Sequence, residues 1–272
     1  RFPDRFFDVG IAEQHAVTAA AGMAMGGLRP VVALYSTFLS RAWDQVVYDV
    51  ALHRLPVVFC LDRAGITGDD GPSHHGIYDM ALLTKVPGMR VLAPSSAQDL
   101  QQMLHDAPEL LDDGPVMIRY PKGAARQVSE HEVGVGLRAR RVRSGGPEVC
   151  ILAIGKMVAA AERAAQTLAG EGLDATVWDV RSCAPLDPEM LDDALVHHTV
   201  VTVEDGIRDG GVGSAIADAL AHRVGPHTAL PTVEVLGLPT TFIPQAKPDV
   251  ILRQLGLDGD GLAATVRRLL GR

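Results

Sequence analysis

The sequence lacks asparagine altogether and contains only four lysines and three cysteines. None of its apolar runs approaches the ~20 residues that a helix needs to cross a bilayer, and no signal-peptide pattern opens it, which argues against a membrane partner. The cysteines lie far apart among apolar residues, so they do not make a disulfide or zinc framework. They predict buried thiols in a reducing compartment, here the cytoplasm.

Basic residues are scarce relative to acidic ones. The sequence has 25 Lys and Arg against 33 Asp and Glu, which gives a formal net charge of −8. A protein that binds nucleic acid needs a basic face to attract phosphate, so this balance argues against a nucleic-acid partner. What the chain does contain is 47% hydrophobic residues over 272 positions. That is enough for one large or two ordinary globular domains.

Strand-like and helix-like segments alternate in the first half of the chain. An alanine-rich stretch over residues 10–26 predicts a buried helix. Helical patterns follow at 40–52 and 97–104, and short apolar runs typical of buried parallel strands lie at 31–35, 56–61, 90–92 and 116–119. Repeated alternation of this kind indicates an α/β domain with a parallel sheet.

The alternation lapses between residues 122 and 147 and then returns. This segment is rich in glycine and arginine. Its basic run is best interpreted as part of a solvated connector, and the alternative is that it binds an anion. Strand patterns then lie at 149–154, 175–180, 200–203 and 232–235, and helix patterns at 157–168, 188–195, 213–222, 248–255 and 262–270. We therefore predict two doubly wound, mostly parallel-sheet α/β domains, residues 1–128 and 148–272, with a linker at 129–147.

Glu13 is the only acidic residue between Asp8 and Asp44. One interpretation is a first-turn glutamate that favours the positive end of the helix dipole. The other is a functional carboxylate in an apolar setting, where desolvation and a chosen partner set its protonation. Position alone leaves both interpretations open.

A glycine-rich loop at residues 62–76 follows one of the predicted strands, where α/β sheets place their ligands. Its fifteen residues include four glycines, two histidines, an arginine and two adjacent acids, a composition typical of binding or catalytic loops. A divalent-metal site on Asp69, Asp70, His74 and His75 is one interpretation, but it lacks a recognised ligand spacing. A polar pocket that handles protons and hydroxyl groups fits better.

A third candidate segment, residues 35–45, joins a strand end to a helix. Phe38 and Arg41 are three residues apart, so a helical start puts them on one side. An aromatic residue there is ordinarily part of the core. Combined with Arg41 and Tyr35, Phe38 could instead form a stacking platform for a flat ring.

These stretches together resemble the C-terminal half of the 1-deoxy-D-xylulose-5-phosphate synthases, a family of thiamine-diphosphate enzymes in the transketolase superfamily. Several long motifs in register are more specific than one short pattern. The matching runs lie, in the right order, at residues 8–17, 35–45, 61–66, 119–123, 203–211, 243–245 and 255–258. The resemblance implies a pyrimidine-binding domain followed by a transketolase C-terminal domain.

The resemblance implies a cofactor side of the site. In such enzymes a glutamate hydrogen-bonds the aminopyrimidine ring of thiamine diphosphate, which promotes loss of the thiazolium proton. Glu13 matches that glutamate, which makes it both a catalytic and a cofactor-binding residue. Phe38 is expected to stack on the pyrimidine, and Arg41 to line its pocket.

The resemblance also implies a substrate side. Tyr35, Arg63, Asp70 and His74 are expected to hold the carboxylate of pyruvate and the hydroxyls of the aldehyde, and His74 to assist proton transfer as a catalytic residue. Lys122 falls where family members often carry an arginine that grips the phosphate of glyceraldehyde 3-phosphate. A lysine keeps the charge but loses the bidentate fork. The implied reaction condenses pyruvate with glyceraldehyde 3-phosphate, releases CO2 and gives 1-deoxy-D-xylulose 5-phosphate, a precursor of isoprenoids, thiamine and pyridoxal.

The magnesium site of the superfamily is missing from the sequence. Members hold the cofactor's diphosphate through Mg²⁺ bound by a Gly-Asp-Gly motif and an asparagine roughly 30 residues later. The only such triplet here, at residues 259–261, is followed by eleven residues and no asparagine. We therefore expect no metal ligands in this chain, an N-terminal diphosphate domain outside it, and no catalysis by the chain alone. Family members are dimers, so a homodimer is expected.

Two other functions compete with the synthase. One is a transketolase half or the β subunit of a 2-oxo-acid dehydrogenase. The run at residues 69–74 resembles a transketolase sequence. The runs at 35–45 and 62–66 instead favour the synthase. The other is a non-catalytic dimerisation module that keeps the fold, against which Glu13 and the complete glycine-rich loop argue.

Overall fold

Runs of apolar and β-branched residues form the strands of two sheets. The computed structural model describes residues 2–225 and 229–272. Within those residues the strands are β1 (Val31–Tyr35), β2 (Val58–Asp62), β3 (Arg90–Leu92), β4 (Val116–Arg119), β5 (Arg140–Arg143), β6 (Val149–Ala153), β7 (Thr176–Asp179), β8 (Ser182–Ala184), β9 (Thr199–Ile207) and β10 (Thr232–Leu238).

Alanine-rich and amphipathic segments form the helices. These are α1 (Glu13–Met25), α2 (Asp79–Leu83), α3 (Ala97–Asp106), α4 (Val158–Ala169), α5 (Pro188–Ala194), α6 (Val212–Arg223), α7 (Pro248–Gln254) and α8 (Gly259–Leu269). No helix in the described parts of the chain combines the length and the apolar character that membrane crossing requires. All three cysteines are free and buried, as expected.

The first sheet has the strand order β1-β2-β4-β3-β8. Its first four strands pair in parallel, and their register sets Tyr35 opposite Asp62 and Leu61 opposite Arg119. Because the carboxyl ends of parallel strands meet at one edge of a sheet, the segments that follow β1, β2 and β4 lie side by side. All the polar candidates of the sequence except Glu13 belong to those segments.

The second sheet has the order β10-β9-β6-β7-β5 and is parallel except for the β5–β7 pair. The two sheets confirm the predicted fold class of two mostly parallel α/β domains. The eight predicted strands are all present. The strands that were not predicted, β5 and β8, are short and pair antiparallel at the sheet edges.

Helix α1 is shorter and less buried than the sequence indicated. It begins at Glu13 rather than at residue 10, where Gly10 has a positive φ of 65°. Its inner face, which includes Val17 and Ala21, packs against a π-helix over Gln45–Ala51, whereas the face of Gln14 is exposed. An alanine-rich helix is apolar all round, so composition did not reveal that only one side is covered by this chain.

The segment predicted as a connector, residues 129–147, contains regular structure. Strand β5 lies within it and extends the second sheet. Its arginines find acidic partners: Arg141 pairs with Asp193 and lies 4.9 Å from the ring centroid of Trp178, and Arg143 pairs with Asp174 at 3.0 Å. Two arginines of the basic run, Arg141 and Arg143, are therefore paired with acidic residues of the second domain.

Buried contacts join the two halves. Strand β8, from the second half, completes the first sheet beside β3. Just before it, the fully buried guanidinium of Arg181 donates through Nε to Asp99 of α3 at 2.9 Å, and through Nη1 to the carbonyl of Arg138. Ser95 donates its hydroxyl proton to Asp179 at 2.5 Å. The relative placement of the domains thus rests on charged groups that are closed off from water.

Removing the Arg181 guanidinium should be severely destabilising. Arg181→Met leaves Asp99 and several carbonyls buried without their donor, so we expect the free energy of unfolding in urea to fall by about 3–5 kcal/mol. The control is Arg208→Met, which removes an exposed pair with Asp209 and should change it by less than ~0.5 kcal/mol. Equal, small effects of both substitutions would contradict this account of the domain contact.

Candidate active site

Glu13 is the first residue of α1 and is buried there. Its side chain is 8% exposed, and its Oε2 atom has no hydrogen-bond partner among the described residues. The Nε atom of Arg41 lies 3.4 Å from Oε2, close enough for ion-pair attraction but without hydrogen-bond geometry. Since an unsatisfied buried carboxylate oxygen is costly, Oε2 is a group ready to accept a ligand's hydrogen bond or to share a proton.

Aromatic and cationic groups stack beside this pair. The rings of Tyr35 and Phe38 are 5.7 Å apart and nearly parallel, and the His74 ring meets Phe38 edge-on at 5.5 Å. The Arg63 guanidinium lies 4.0 Å from the Tyr35 centroid, which is cation–π distance. Phe38 and Arg41 share one 3-10 helix, Ser36–Ala42, so the stack and the Glu13 pair are held by the same short segment.

A second cluster carries the charges. The Nζ atom of Lys122 donates to Oδ2 of Asp70 at 3.2 Å, and Nη1 of Arg63 lies 3.9 Å from the same oxygen. The hydrogen bond and the charge of Lys122, with smaller contributions from His74 and Arg63, lower the pKa of Asp70 below its ordinary value. All three side chains are partly exposed, so a ligand can reach two cations and one carboxylate together.

The glycine-rich loop is closed by its own backbone. Gly65 and Gly76 exchange two hydrogen bonds of 2.7 and 2.9 Å, and a Cβ at Gly76 would lie 2.5 Å from the Ser36 hydroxyl oxygen. Thr37 donates its hydroxyl proton to the carbonyl of Ser73. These contacts hold the loop against the 3-10 helix, which brings Arg63 and His74 to the aromatic stack.

The metal interpretation of this loop gains no support. His75 is buried, its Nδ1 atom accepts the backbone N–H of Thr67 at 3.2 Å, and burial lowers its pKa. Among the described residues, the group whose ligand atoms all lie within 4.8 Å is instead Cys150, Asp193 and His197 of the second domain. There the atoms of Asp193 and His197 that could bind a metal are already hydrogen-bonded to other protein groups. Burial raises the pKa of the Cys150 thiol.

Sequence reasoning missed four charged residues behind the site, three of which are buried. The Nε and Nη1 atoms of Arg119 donate to Asp79 at 2.9 Å and to Asp205 at 2.6 Å, and the Lys156 Nζ atom lies 3.1 Å from Asp205. Burial alone raises the pKa of Asp205, but Arg119 and Lys156 lower it to about 2. The available signal was a charged residue inside an otherwise apolar strand, as at Arg119 in β4 and Asp205 in β9.

The structure therefore brings together most of the residues chosen from the sequence. Tyr35 and Phe38 contact Arg63 and His74, and Arg63 and Lys122 share Asp70. Glu13 and Arg41 form a separate pair that the 3-10 helix connects to the stack. The roles assigned to these residues remain predictions.

Comparison with known proteins gives a consistent result over the whole chain. The pyrimidine-binding domain of transketolase matches residues 1–127, and the transketolase C-terminal domain matches residues 137–262. The 1-deoxy-D-xylulose-5-phosphate synthase of Anaeromyxobacter dehalogenans (strain 2CP-1) is 49% identical over 277 residues, which cover 100% of this chain and 43% of that protein. The synthase of Thermobifida fusca is 46% identical over 275 residues, covering 100% and 42%.

A solved structure has the same fold. It is described as a split-gene transketolase in an inactive β4 tetramer, with a TM-score of 0.89 and 31% identity, and the alignment covers 99% of this chain and 86% of that one. The resemblance to the C-terminal half of the synthases is thereby confirmed. The chain spans less than half the length of the curated relatives that it matches.

Lys122 should control the titration of Asp70. When the pKa of a carboxyl group is lowered in the folded protein, the group is fully charged and its ion pair is intact at any pH above the ordinary pKa. The ion pair is lost as the pH falls through the lowered pKa. In Lys122→Ala, the pKa of Asp70 should rise towards its ordinary value of 3.8, measured by NMR titration of the side-chain carboxyl carbon. Lys85→Ala, at an exposed lysine after α2, should leave it unchanged. An unchanged Asp70 pKa in Lys122→Ala would contradict the pairing.

Proposed function

The chain belongs to the transketolase family, and from that premise we propose that it is the C-terminal part of a thiamine-diphosphate-dependent 1-deoxy-D-xylulose-5-phosphate synthase. The whole protein would condense pyruvate with glyceraldehyde 3-phosphate and release CO2. Identities of 46–49% to synthases, against 31% to the split-gene transketolase, support this choice over a transketolase half. The observation that carries the proposal is the buried carboxylate oxygen of Glu13 that has no hydrogen-bond partner among the described residues.

The residues around Glu13 fit the pyrimidine ring of the cofactor. Oε2 of Glu13 has no hydrogen-bond partner among the described residues, and it would share a proton with a ring nitrogen of the aminopyrimidine. The half-buried ring of Phe38 offers an aromatic face for stacking, and Arg41 would hold the Glu13 carboxyl group in place. When bound, thiamine diphosphate supplies the carbon nucleophile and the electron sink for decarboxylation and carbon–carbon bond formation.

The residues on the substrate side fit small anions that carry hydroxyl groups. Arg63 and Lys122 provide two positive charges that would bind the pyruvate carboxylate and the acceptor's phosphate. As a point charge, Lys122 neutralises phosphate without the fixed geometry of an arginine fork.

Asp70 would accept a hydrogen bond from an acceptor hydroxyl. His74, whose Nδ1 atom is 2.9 Å from the Ser73 hydroxyl, would move a proton to or from substrate. Tyr35 would close the pocket beside Arg63.

Different parts of the longer protein would bind different parts of the cofactor. The Mg²⁺ and the diphosphate group would be held by an N-terminal domain, since this chain has no asparagine for the superfamily's metal motif. Without that domain, the chain would bind cofactor too weakly to catalyse. The active protein would be a cytoplasmic homodimer.

Product analysis tests the proposal directly. The full-length protein given pyruvate, glyceraldehyde 3-phosphate, thiamine diphosphate and Mg²⁺ should release CO2 and form 1-deoxy-D-xylulose 5-phosphate, followed by 13C NMR. Residues 1–272 alone should give no product above the level without enzyme. Replacing pyruvate by a ketose donor should abolish turnover of the full-length protein. Turnover with the ketose, and none with pyruvate, would contradict the assignment and favour a transketolase.

A further inference from the structure

A buried group of charges lies between the two domains, directly behind the glycine-rich loop. We call Asp79, Arg119, Lys156 and Asp205 the interdomain charge cluster. Arg119 and Asp79 belong to the first domain, and Asp205 and Lys156 to the second. Lys156 is partly exposed, but the side chains of Asp79, Arg119 and Asp205 are at most 3% exposed. Charges so fully removed from water must be held in a fixed geometry to be tolerated.

Asp205 touches the loop at its base. Gly65 has a positive φ of 75°, and a Cβ at this position would overlap the Asp205 carboxylate, with 2.6 Å to its Cγ atom. Only a glycine allows the loop backbone to approach the carboxylate so closely. Gly65 also makes the two hydrogen bonds to Gly76 that close the loop, and it lies two residues after Arg63. The base of the loop is therefore built against a carboxylate of the other domain.

The same cluster holds the strand end that carries Lys122. Arg119 is the last residue of β4, and the next residue, Tyr120, accepts the Ala64 N–H through its carbonyl at 3.0 Å. Lys122 follows two residues later. Asp205 thus contacts Gly65 directly and Lys122's segment through Arg119, and these are the two segments whose cations meet at Asp70.

We propose that Asp205 is a positioning residue for the substrate site. Its ion pair with Arg119 and its contact with Gly65 fix the distance between the loop and the end of β4. This distance determines whether Asp70 of the loop and Lys122 can bind the hydroxyl and the phosphate of the same phosphorylated substrate. The inference rests on the proposed function for the identity of that substrate, but the geometric claim stands on this chain alone.

Stability alone does not account for the cluster. Apolar residues of similar volume often stabilise a core as well as a buried ion pair does. The cluster also leaves Nη2 of Arg119 without a hydrogen-bond partner among the described residues. Asp99 and Arg181 provide a second buried ion pair between the domains, with side chains at most 3% exposed, and the contacts of Asp99 lie in the segment around Ser95 and Ser96. This pair supplies the matched control.

The test compares Asp205→Asn with Asp99→Asn in the full-length protein. Each substitution keeps the shape of a buried side chain and removes its charge. By hydrogen–deuterium exchange, Asp205→Asn should lower the protection of peptides spanning residues 62–76 by about tenfold or more, because the loop base loses its anchor. Asp99→Asn should leave that loop at wild-type protection even if it lowers the melting temperature equally. Equal protection of the loop in both variants, or loss of protection in both, would overturn the proposal.

A kinetic arm links the geometry to function. Asp205→Asn should raise the KM for glyceraldehyde 3-phosphate about tenfold and leave the KM for pyruvate within about twofold, because a small misplacement of binding groups weakens the substrate that spans both segments. Asp99→Asn should change neither. Equal increases in both KM values would overturn the proposal. If the wild-type full-length protein does not catalyse this reaction, the proposed function is refuted. The hydrogen–deuterium exchange of residues 62–76 then tests the positioning role of Asp205 by itself.

A second variant covers the case in which Asp205→Asn does not fold, as judged by circular dichroism. Lys156 is 22% exposed and contacts Asp205 from the other side of the cluster, so Lys156→Gln should fold. It should increase exchange of the 62–76 loop in the same direction and by a smaller factor. Unchanged exchange in a folded Lys156→Gln, with Asp205→Asn unfolded, would count against the proposal.

Discussion

The parallel register of the first sheet is the constraint on which the candidate site depends. Tyr35 lies opposite Asp62, and Leu61 opposite Arg119, so three strands end at one edge and their following segments have to meet. The aromatic stack, the glycine-rich loop and Lys122 each come from one of those segments. A slip of one residue in any of the three strands would turn the side chains at its end to the opposite face. The site is therefore a consequence of strand pairing before it is a property of any single motif.

Buried charge has two different uses in this molecule. Arg181 and Arg119 each bridge the domains, and each donates through Nε and Nη1 to a carboxylate or a carbonyl, although its Nη2 atom has no hydrogen-bond partner among the described residues. They fix where one domain lies against the other. The Glu13 carboxylate is also buried and does not join the domains, and one of its oxygens has no hydrogen-bond partner among the described residues. Groups left unsatisfied in this way cost folding free energy, and a bound ligand can recover that cost.

Much of the fold could be predicted from the sequence, because apolar runs and alternation report directly on burial in a parallel sheet. The candidate site residues were chosen first from their positions and surrounding composition and then from motif resemblance, and the structure brings them into two adjoining clusters. What the sequence could not reveal depends on contacts between distant segments. Strand β5 pairs with β7, whose residues lie more than thirty positions further along the chain, and Arg143 of β5 forms an ion pair with the equally distant Asp174. The role of Asp205 depends on its contact with Gly65, which no local pattern encodes.

The central claim is that Glu13 acts on the bound cofactor, and proton exchange tests it most directly. The measurement is the rate at which thiamine diphosphate bound to the full-length protein exchanges its thiazolium proton for deuterium, by quenched-flow NMR. The account predicts that Glu13→Gln slows this exchange by ~10²–10⁴-fold, whereas Gln14→Ala, at the exposed neighbour on α1, leaves it unchanged. Exchange at the wild-type rate in Glu13→Gln would contradict the account.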